Sequence, residues 1–241
     1  MTTLCFDFGN TRLKCAVFND REFKELIVLE NDRNESIEAI LATHQPQKAI
    51  LSSVIRHNPS IETLLAAKTK FHVLNHQSLL PITTPVGKPE TIGADRLAIC
   101  AAAVDLFPEN HCLAIGLGTC ITYNFINSFH QFLGGSISPG MIMRFKAMHE
   151  QTALLPEIIA EHNFPLIGYD TKTNLLSGVL LGMAKEIDGI IDAYNEKFNH
   201  LKVFLTGGDM DFFLPHLKNK IMADPYLLYK GLLAISEINN P

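Results

Sequence analysis

The stretch Leu4-Cys-Phe-Asp-Phe-Gly-Asn-Thr-Arg-Leu-Lys14 decides how the fold is interpreted. Leu4–Phe6 and Arg12–Phe18 are rich in apolar residues, and the turn-forming pair Gly9-Asn10 lies between them. Two apolar runs joined by such a pair are a strong signal for a β-hairpin. The sequence therefore predicts that the chain opens with two paired strands and that Asp7 lies just before their turn.

A related stretch, Gly116-Leu-Gly-Thr-Cys120, lies between the first two strand patterns of the second half. In both halves strands come first, and helix and strand patterns then follow in mixed order. A duplicated unit is the economical interpretation. It predicts two similar lobes, 1–109 and 110–241, whose glycine turns face a shared cleft, with the boundary near Pro108–Asn110. The repeat is short, so a chance similarity remains the alternative.

The remaining secondary structure follows from apolar periodicity and from helix and turn signals. The breaker-rich stretch 81–93 predicts a loop. Strands are predicted at Glu22–Glu30, Ala49–Val54, Phe71–Leu74, His111–Leu117, Cys120–Ile126, Gln131–Ile137 and Leu201–Thr206, and helices at Ser36–Thr43, Pro59–Thr69, Ala94–Leu106, from near Pro139, at Lys172–Tyr194 and at Tyr226–Ile238.

The composition is that of a globular protein, with 47% hydrophobic and 19% charged residues. A net charge of −5 leaves no basic footprint, which argues against nucleic acid or an anionic membrane as a partner. Met1–Asp7 lacks the basic start of a signal peptide, and the apolar stretch Leu175–Met183 is too short to span a bilayer. The 5 cysteines are scattered and form no Cys-x-x-Cys pair, which predicts reduced thiols, a cytoplasmic location and no zinc site.

The two glycine turns can bind phosphate, because backbone N–H groups in a tight turn approach an anion closely when no side chain intervenes. Gly9-Asn10-Thr11 offers such amides together with a hydroxyl and a side-chain amide. Asp7 can hold a magnesium ion or its waters near the phosphates, and Lys14 can reach them. Gly118-Thr119 offers a second turn of this kind. The alternative is an ordinary hairpin turn without a ligand.

Two further stretches combine a turn with residues suited to ligand binding. Gly93-Ala-Asp-Arg96 stands where the predicted loop meets a helix, so Asp95 can accept a proton from a substrate hydroxyl and Arg96 can bind a carboxylate. Thr206-Gly-Gly-Asp209 follows a strand, where paired glycines let a flat purine approach the backbone. A helix cap with a surface ion pair and a plain strand–helix turn are the respective alternatives.

Taken in order, these pieces resemble the type III pantothenate kinases over almost the whole chain. The segments that carry the resemblance are Asp7-Phe-Gly-Asn-Thr-Arg-Leu-Lys14, Gly93-Ala-Asp-Arg96, Gly118-Thr-Cys-Ile-Thr122, Gly134-Gly-Ser-Ile-Ser-Pro-Gly140, Ile167-Gly-Tyr-Asp-Thr171 with Ser177-Gly178, and Thr206-Gly-Gly-Asp209. The family phosphorylates pantothenate with ATP, which is the first step of coenzyme A synthesis. The resemblance thus implies an α/β fold of duplicated ribonuclease H-like, or actin-like, lobes with mixed five-stranded sheets and a central cleft. It allows the C-terminal helix to pack back on the first lobe.

The resemblance also implies a role for individual residues. Asp95 would be the general base, and Asp7 would hold Mg²⁺ through the phosphates. Thr171 would reach the pantothenate pocket from the partner subunit of a homodimer. The residues implied for ATP and its phosphates are Asp7, Phe8, Gly9, Asn10, Thr11, Arg12, Leu13, Lys14, Thr119, Gly207 and Gly208, and those implied for pantothenate are Gly93, Ala94, Asp95, Arg96 and Thr171.

The chain departs from the family pattern at two positions. Gly116 stands where the family usually has an aspartate that binds a monovalent cation, and Asn124 stands where a second aspartate is common. Losing both carboxylates puts a potassium or ammonium site in doubt and predicts weaker dependence on those ions, or a site rebuilt from other oxygens.

Two other interpretations remain open at the level of sequence. One is a catalytically weak or inactive family member that acts as a regulatory or binding protein, and the missing carboxylate at Gly116 favours it. The other is an actin-like kinase for a different small alcohol, against which Gly93-Ala-Asp-Arg96 argues. Retention of Asp7, Asp95 and Arg96 favours the pantothenate kinase.

Overall fold

The computed structural model describes residues 1–85 and 87–240. The strands are β1 (Thr2–Phe8), β2 (Leu13–Asn19), β3 (Glu22–Leu29), β4 (Lys48–Ser53), β5 (Lys70–Val73), β6 (Cys112–Leu117), β7 (Cys120–Ile126), β8 (Phe132–Pro139), β9 (Lys202–Thr206) and β10 (Met222–Ala223). The helices are α1 (Asn34–His44), α2 (Ser60–Lys68), α3 (Ala94–Leu106), α4 (Met141–Glu150), α5 (Thr171–Leu176), α6 (Gly182–Lys197), α7 (Met210–Phe213) and α8 (Leu227–Asn239), with 3₁₀ turns at Pro89–Thr91 and Leu214–His216 and a π-helical turn at Ser177–Leu181.

The strands form two five-stranded sheets of the same topology. The first has the order β3-β2-β1-β4-β5, and the second has the order β10-β9-β6-β7-β8, which is the same order in reverse. Each sheet is mixed: β1 and β6 pair antiparallel with the strand that follows them and parallel with β4 and β9, respectively. The predicted α/β fold with two mixed five-stranded sheets is therefore confirmed.

The opening hairpin is present as predicted. β1 and β2 pair antiparallel in a register that places Asp7 opposite Lys14 and Phe8 opposite Leu13. β6 and β7 form the corresponding hairpin, with Leu117 opposite Ile121. The two predicted glycine turns thus occupy equivalent positions in the two sheets.

The chain divides into two compact units. Unit 1 comprises Met1–Glu109, Phe129–Leu133 and the C-terminal segment from Tyr226, and unit 2 comprises Asn110–Ser128 and Gly134–Pro225. Helix α8 therefore belongs to unit 1, although it comes last in the sequence.

Unit 1 buries apolar side chains on both faces of its sheet. Phe6, Phe8 and Leu51 face α1 and α2, whereas Cys5 and Ile50 face α3 and α8. This alternation follows from the two-residue repeat of a strand, which turns successive side chains to opposite faces. By the same repeat, the residues after Cys5 and Ile50 on that face are Asp7 and Ser52.

Unit 2 packs the β6, β7 and β9 strands against the long helical segment 171–197. The long helix that the sequence predicts here is present, as α5, a π-helical turn and α6 in uninterrupted succession. The start of α5 is defined by a capping box, in which the Asp170 carboxylate accepts from the Thr173 backbone N–H at 2.7 Å. A polar network also lies in this unit: Tyr123 Oη donates to Glu186 at 3.1 Å, and Arg144 pairs with the same carboxylate.

Candidate active site

The turn between β1 and β2 presents backbone and side-chain donors to solvent. The Gly9 N–H donates to the Arg12 carbonyl at 3.2 Å, which closes the turn. A Cβ atom added at Gly9 would lie 3.4 Å from that carbonyl oxygen, which is an ordinary van der Waals contact. Asn10, Thr11 and Arg12 are exposed. The exposed residues of this turn are accessible to a phosphate, and Gly9 places no side chain in its way.

Asp7 lies in the middle of a polar row that crosses three strands. Lys14 stands opposite it on β2, and Ser52 is its register partner on β4. Burial and, secondly, the nearby Asp95 carboxylate raise the pKa of Asp7 to about 7, although Lys14 acts in the opposite direction. A carboxyl group so placed gains strongly from a nearby cation.

Asp95 lies in the first turn of α3, two residues after Gly93. Its carboxylate accepts backbone hydrogen bonds from Asp95 and Arg96, which favour the ionised form, but burial is the larger effect and raises its pKa. The ordinary pKa of an aspartate side chain is about 3.9. A Cβ atom on Gly93 would come within 2.5 Å of Asp95 Oδ1. Any residue other than glycine at this position would therefore displace the Asp95 carboxylate.

The other two residues of this stretch have different surroundings. Ala94 is buried against the apolar cluster formed with α8, so its side chain belongs to the core. The Arg96 guanidinium carbon lies 5.5 Å from the centroid of the Phe132 ring, which is a cation–π contact. Arg96 is thus held beside the start of α3, where a carboxylate of a substrate can reach it.

In unit 2, three glycine turns converge on the end of β6. The Gly140 N–H donates to the Thr119 carbonyl at 3.0 Å, and a Cβ atom on Gly140 would collide with the backbone of Gly118 and Thr119. Gly207, at a positive φ of 107°, approaches Leu117 so closely that a Cβ atom would collide with its backbone. Gly208 is exposed and has open space around its Cα. The structure therefore brings Thr119, Gly207 and Gly208 together.

Asp209 completes this cluster of turns. Its N–H donates to the Leu117 carbonyl at 3.3 Å. Burial raises the pKa of its carboxyl group above the ordinary value. The close approach of Gly207 to β6 explains why a glycine stands at that position.

The two positions that depart from the family pattern lie on paired strands of unit 2. Gly116 is opposite Thr122, and Asn124 is opposite Ala114. Asn124 is fully buried, and its amide nitrogen donates to the Ala114 carbonyl at 3.0 Å and to Thr122 Oγ1 at 3.3 Å. A side chain that directs N–H donors to these oxygens competes with a cation for them.

Thr171, the remaining predicted residue, is the first residue of α5 and is exposed in unit 2. It follows Asp170, whose pKa is lowered by the hydrogen bonds from Thr173. Helix α5 begins at this point because Asp170 caps it.

Two residues near Asp7 have no counterpart in the sequence-based prediction. Ser52 is fully buried in β4, and Tyr229 on α8 is close enough to Asp7 for the aspartate charge to contribute to raising the tyrosine pKa, an effect dominated by burial. Ser52 ends a run of apolar residues that looks like a plain core strand. Tyr229 lies far away in sequence, and only tertiary packing brings it to Asp7.

No group of three or more His, Cys, Asp or Glu side chains that could hold a metal ion is found in the part of the chain that the structure describes. The Asp7 carboxylate nevertheless suits magnesium, which binds through one or two carboxylates and otherwise through water and phosphate oxygens.

Comparison with solved structures shows the fold. A candidate Baf family transcriptional activator from Campylobacter jejuni aligns over 97% of each chain with a TM-score of 0.63 and 22% identity. A candidate N-acetylmannosamine kinase from Listeria monocytogenes aligns over 99% of this chain and 98% of its own, with a TM-score of 0.52 and 14% identity. With two equivalent mixed sheets and a glycine turn in each, the chain is an α/β protein of the duplicated actin-like class.

The sequence comparisons are more specific. The family model for type III pantothenate kinase matches residues 3–193. A type III pantothenate kinase from Bacteroides fragilis is 42% identical over 241 residues and one from Christiangramia forsetii is 38% identical over 238 residues, each alignment covering 98% of both chains. The chain belongs to the type III pantothenate kinase family, an enzyme family.

Within residues 1–85 and 87–240, none of the helices combines the length and the apolar character that crossing a membrane requires.

Proposed function

We propose that this protein transfers the γ-phosphate of ATP to the hydroxyl of pantothenate, the first step of coenzyme A biosynthesis. The observation that carries the proposal is that the Asp7 and Asp95 carboxylates interact electrostatically within unit 1. The two residues belong to separate stretches that resemble motifs of the family. Phosphoryl transfer requires a group that holds the phosphates and a group that accepts the acceptor's proton in one place. Family membership supports the choice of pantothenate.

In this proposal Asp95 is the general base. Its raised pKa makes the ionised carboxylate a better proton acceptor than an exposed aspartate, and the N–H groups at the start of α3 favour the ionised form. Arg96 binds the substrate carboxylate, while Gly93 and the backbone of Ala94 form the adjoining wall. The hydroxyl proton passes to a carboxylate oxygen of Asp95 as the alcohol oxygen attacks the phosphorus and ADP leaves.

The ATP-binding residues come from two glycine turns. Asn10, Thr11 and Arg12 in the exposed turn of unit 1 offer donors to phosphate oxygens, and Lys14 adds positive charge. Thr119, Gly207 and Gly208 in unit 2 are assigned to the nucleotide because all three are exposed. Gly208 also has open space where a side chain would otherwise stand. Phe8, Gly9 and Leu13 hold the first turn in shape.

Asp7 is the residue that would hold Mg²⁺ through the phosphates or through its waters, while Asp95 accepts the proton of the hydroxyl. A bound divalent cation would neutralise charge on the phosphate oxygens and offset the mutual repulsion of the two carboxylates. The raised pKa of Asp7 fits this role, because a carboxyl group buried beside another carboxylate is unfavourable without a nearby positive charge.

Dependence on a monovalent cation is expected to be weak. Gly116 offers no side-chain oxygen, and Asn124 already donates to Ala114 and Thr122. The measurement is turnover with potassium replaced by sodium at constant ionic strength. We expect rates that agree within about twofold, the scale of a weak interaction near 0.4 kcal/mol. Strict activation by potassium would contradict this assignment.

We further propose a cytoplasmic homodimer. Large apolar side chains are exposed along the stretch 154–169, a pattern typical of a protein–protein interface. The exposed fractions are 92% for Leu154, 85% for Ile159, 77% for Leu166, 80% for Ile167 and 82% for Tyr169. Thr171 follows this stretch directly, which supports its assignment to the partner subunit's pantothenate pocket.

The decisive experiment is the conversion of pantothenate to phosphopantothenate by the purified protein with ATP and magnesium. Asp95→Asn should lower kcat about 10²–10⁴-fold, the usual contribution of a general base, and should still bind the nucleotide. Asp105→Asn is the matched control, since Asp105 lies on the same helix and pairs with Arg21. Absence of product from the unmutated protein would refute the proposed function, and full activity of Asp95→Asn would refute the base assignment.

A further inference from the structure

Ser52 is a buried polar residue without a structural role that the fold explains. Its side chain is 0% exposed, and its hydroxyl has no hydrogen-bond partner among the residues that the structure describes. Buried hydroxyls are normally hydrogen-bonded, and an exception calls for a ligand, an ordered water or a functional reason. The neighbouring Ser53 differs, because its hydroxyl contacts Ile55 O and His57 Nδ1, each at 3.0 Å.

The position of Ser52 indicates where such a partner would lie. Ser52 is in parallel register with Asp7, and Ile50 and Cys5, two residues earlier on the same strands, face α3. Side chains in register on adjacent strands share a face about 4.8 Å apart. The hydroxyl of Ser52 therefore lies beside the Asp7 carboxylate, on the side of the sheet from which Asp95 approaches.

The negative charge of the Asp7 and Asp95 carboxylates favours a cationic ligand near Ser52. Two carboxylates repel a bare phosphate oxygen at this point but attract a hydrated cation. Magnesium keeps several of its waters when it binds protein. A serine hydroxyl can accept a hydrogen bond from one such water and donate a hydrogen bond to another water molecule.

We propose that Ser52 is a binding residue for the hydrated divalent cation that accompanies the nucleotide, acting together with Asp7. This inference rests on the proposed function, because it requires that the nucleotide binds with its cation beside Asp7. It adds a residue of β4 to a site otherwise formed by the β1–β2 turn and the start of α3.

The experiment measures how strongly magnesium and ADP depend on one another for binding. Calorimetry gives the Kd of ADP with excess Mg²⁺ and with EDTA, and the ratio of the two values is the cation coupling. Ser52→Ala should reduce this coupling about 3- to 10-fold, as expected for one lost hydrogen bond, and leave the Kd in EDTA unchanged. In the ligand-free protein Ser52→Ala should keep or raise the Tm, since it removes an unpartnered buried hydroxyl.

Two further variants make the result decisive. Ser53→Ala loses the contacts to Ile55 and His57 and should lower the Tm without changing the coupling. Ser52→Cys keeps most of the volume but offers a much weaker hydrogen-bonding group, so it should lose coupling even if the alanine variant does not fold. If both Ser52 variants show the same coupling as the unmutated protein, the proposed role of Ser52 is wrong, and the proposed function is unaffected. Absence of cation coupling in the unmutated protein overturns this inference together with the proposed magnesium site.

Discussion

At the scale of the residue, the electrostatic environment of Asp7 is set by burial and by a second carboxylate nearby. Asp7 faces Asp95, Lys14 and Tyr229, and its pKa is raised to about 7 chiefly by burial. The ionised form of such a carboxyl group is unfavourable in the ligand-free protein. A bound cation stabilises that form. The electrostatic cost in the free protein is therefore part of what makes cation and nucleotide binding selective.

The pKa of Asp7 predicts a specific dependence of stability on pH. Because the folded protein holds this proton more tightly than the unfolded chain, the contribution of Asp7 to stability falls as the pH rises from about 4 to about 7. Asp7→Asn should remove this loss and raise the free energy of unfolding above pH 7 by on the order of 1–3 kcal/mol. The gain should vanish near pH 4.

Denaturant unfolding of both proteins between pH 4 and pH 8, in EDTA and without nucleotide, measures this difference. A variant that is less stable than the unmutated protein at pH 8 would show that Asp7 is held ionised by a favourable partner in the free state.

At the scale of the element, the contact between α3 and α8 places the start of α3 relative to the first sheet. Gly231 on α8 approaches α3 so closely that a Cβ atom would collide with the Ala98 carbonyl. The alanine-rich middle of α3 allows this approach, because Ala98, Ala101 and Ala102 add little bulk. The position of Asp95 therefore depends on small residues on two helices far apart in sequence.

Gly231→Ala should destabilise the protein by about 1–3 kcal/mol, because the added methyl forces the two helices apart. Gly189→Ala is the matched control, since Gly189 lies inside α6 with open space around it. Alanine there should stabilise the protein by up to about 1 kcal/mol, owing to its higher helix propensity. Thermal unfolding of the two variants distinguishes them, and equal Tm values would contradict the close α3–α8 contact.

At the scale of the whole molecule, the exposed apolar stretch 154–169 bears on assembly. A charge placed in an interface loses its hydration without a partner, so Ile167→Asp should convert a dimer to a monomer at micromolar concentration. Leu79→Asp is the control, since Leu79 is a 65% exposed side chain of unit 1 outside this stretch. Light scattering after size exclusion gives the mass, and a monomeric unmutated protein would contradict the proposed homodimer.

Local patterns in the sequence were sufficient for most of the elements and for the fold class. The hairpin around Gly9-Asn10, the strand Cys120–Ile126 and the helix Ala94–Leu106 have the predicted bounds or differ at the ends by a residue or two. The predicted secondary structure differs from the structure where a local sequence signal has another cause. Ser36 was expected near a helix start, but α1 begins at Asn34 and the Ser36 hydroxyl donates to Asn31 Oδ1 at 3.0 Å. The π-helical turn after α5 has no distinct sequence pattern.

The sequence by itself determined which residues belong to the glycine turns and to the Gly93–Arg96 stretch, and hence the family, because turn chemistry and motif order are local properties of the chain. Only the tertiary structure decided that Asp7 and Asp95 share one environment, that Tyr229 adjoins them and that Ser52 is buried without a partner. The reason is that burial, strand register and helix packing set the pKa of a carboxyl group and the partners of a hydroxyl. These are contacts between segments that the order of residues along the chain does not reveal.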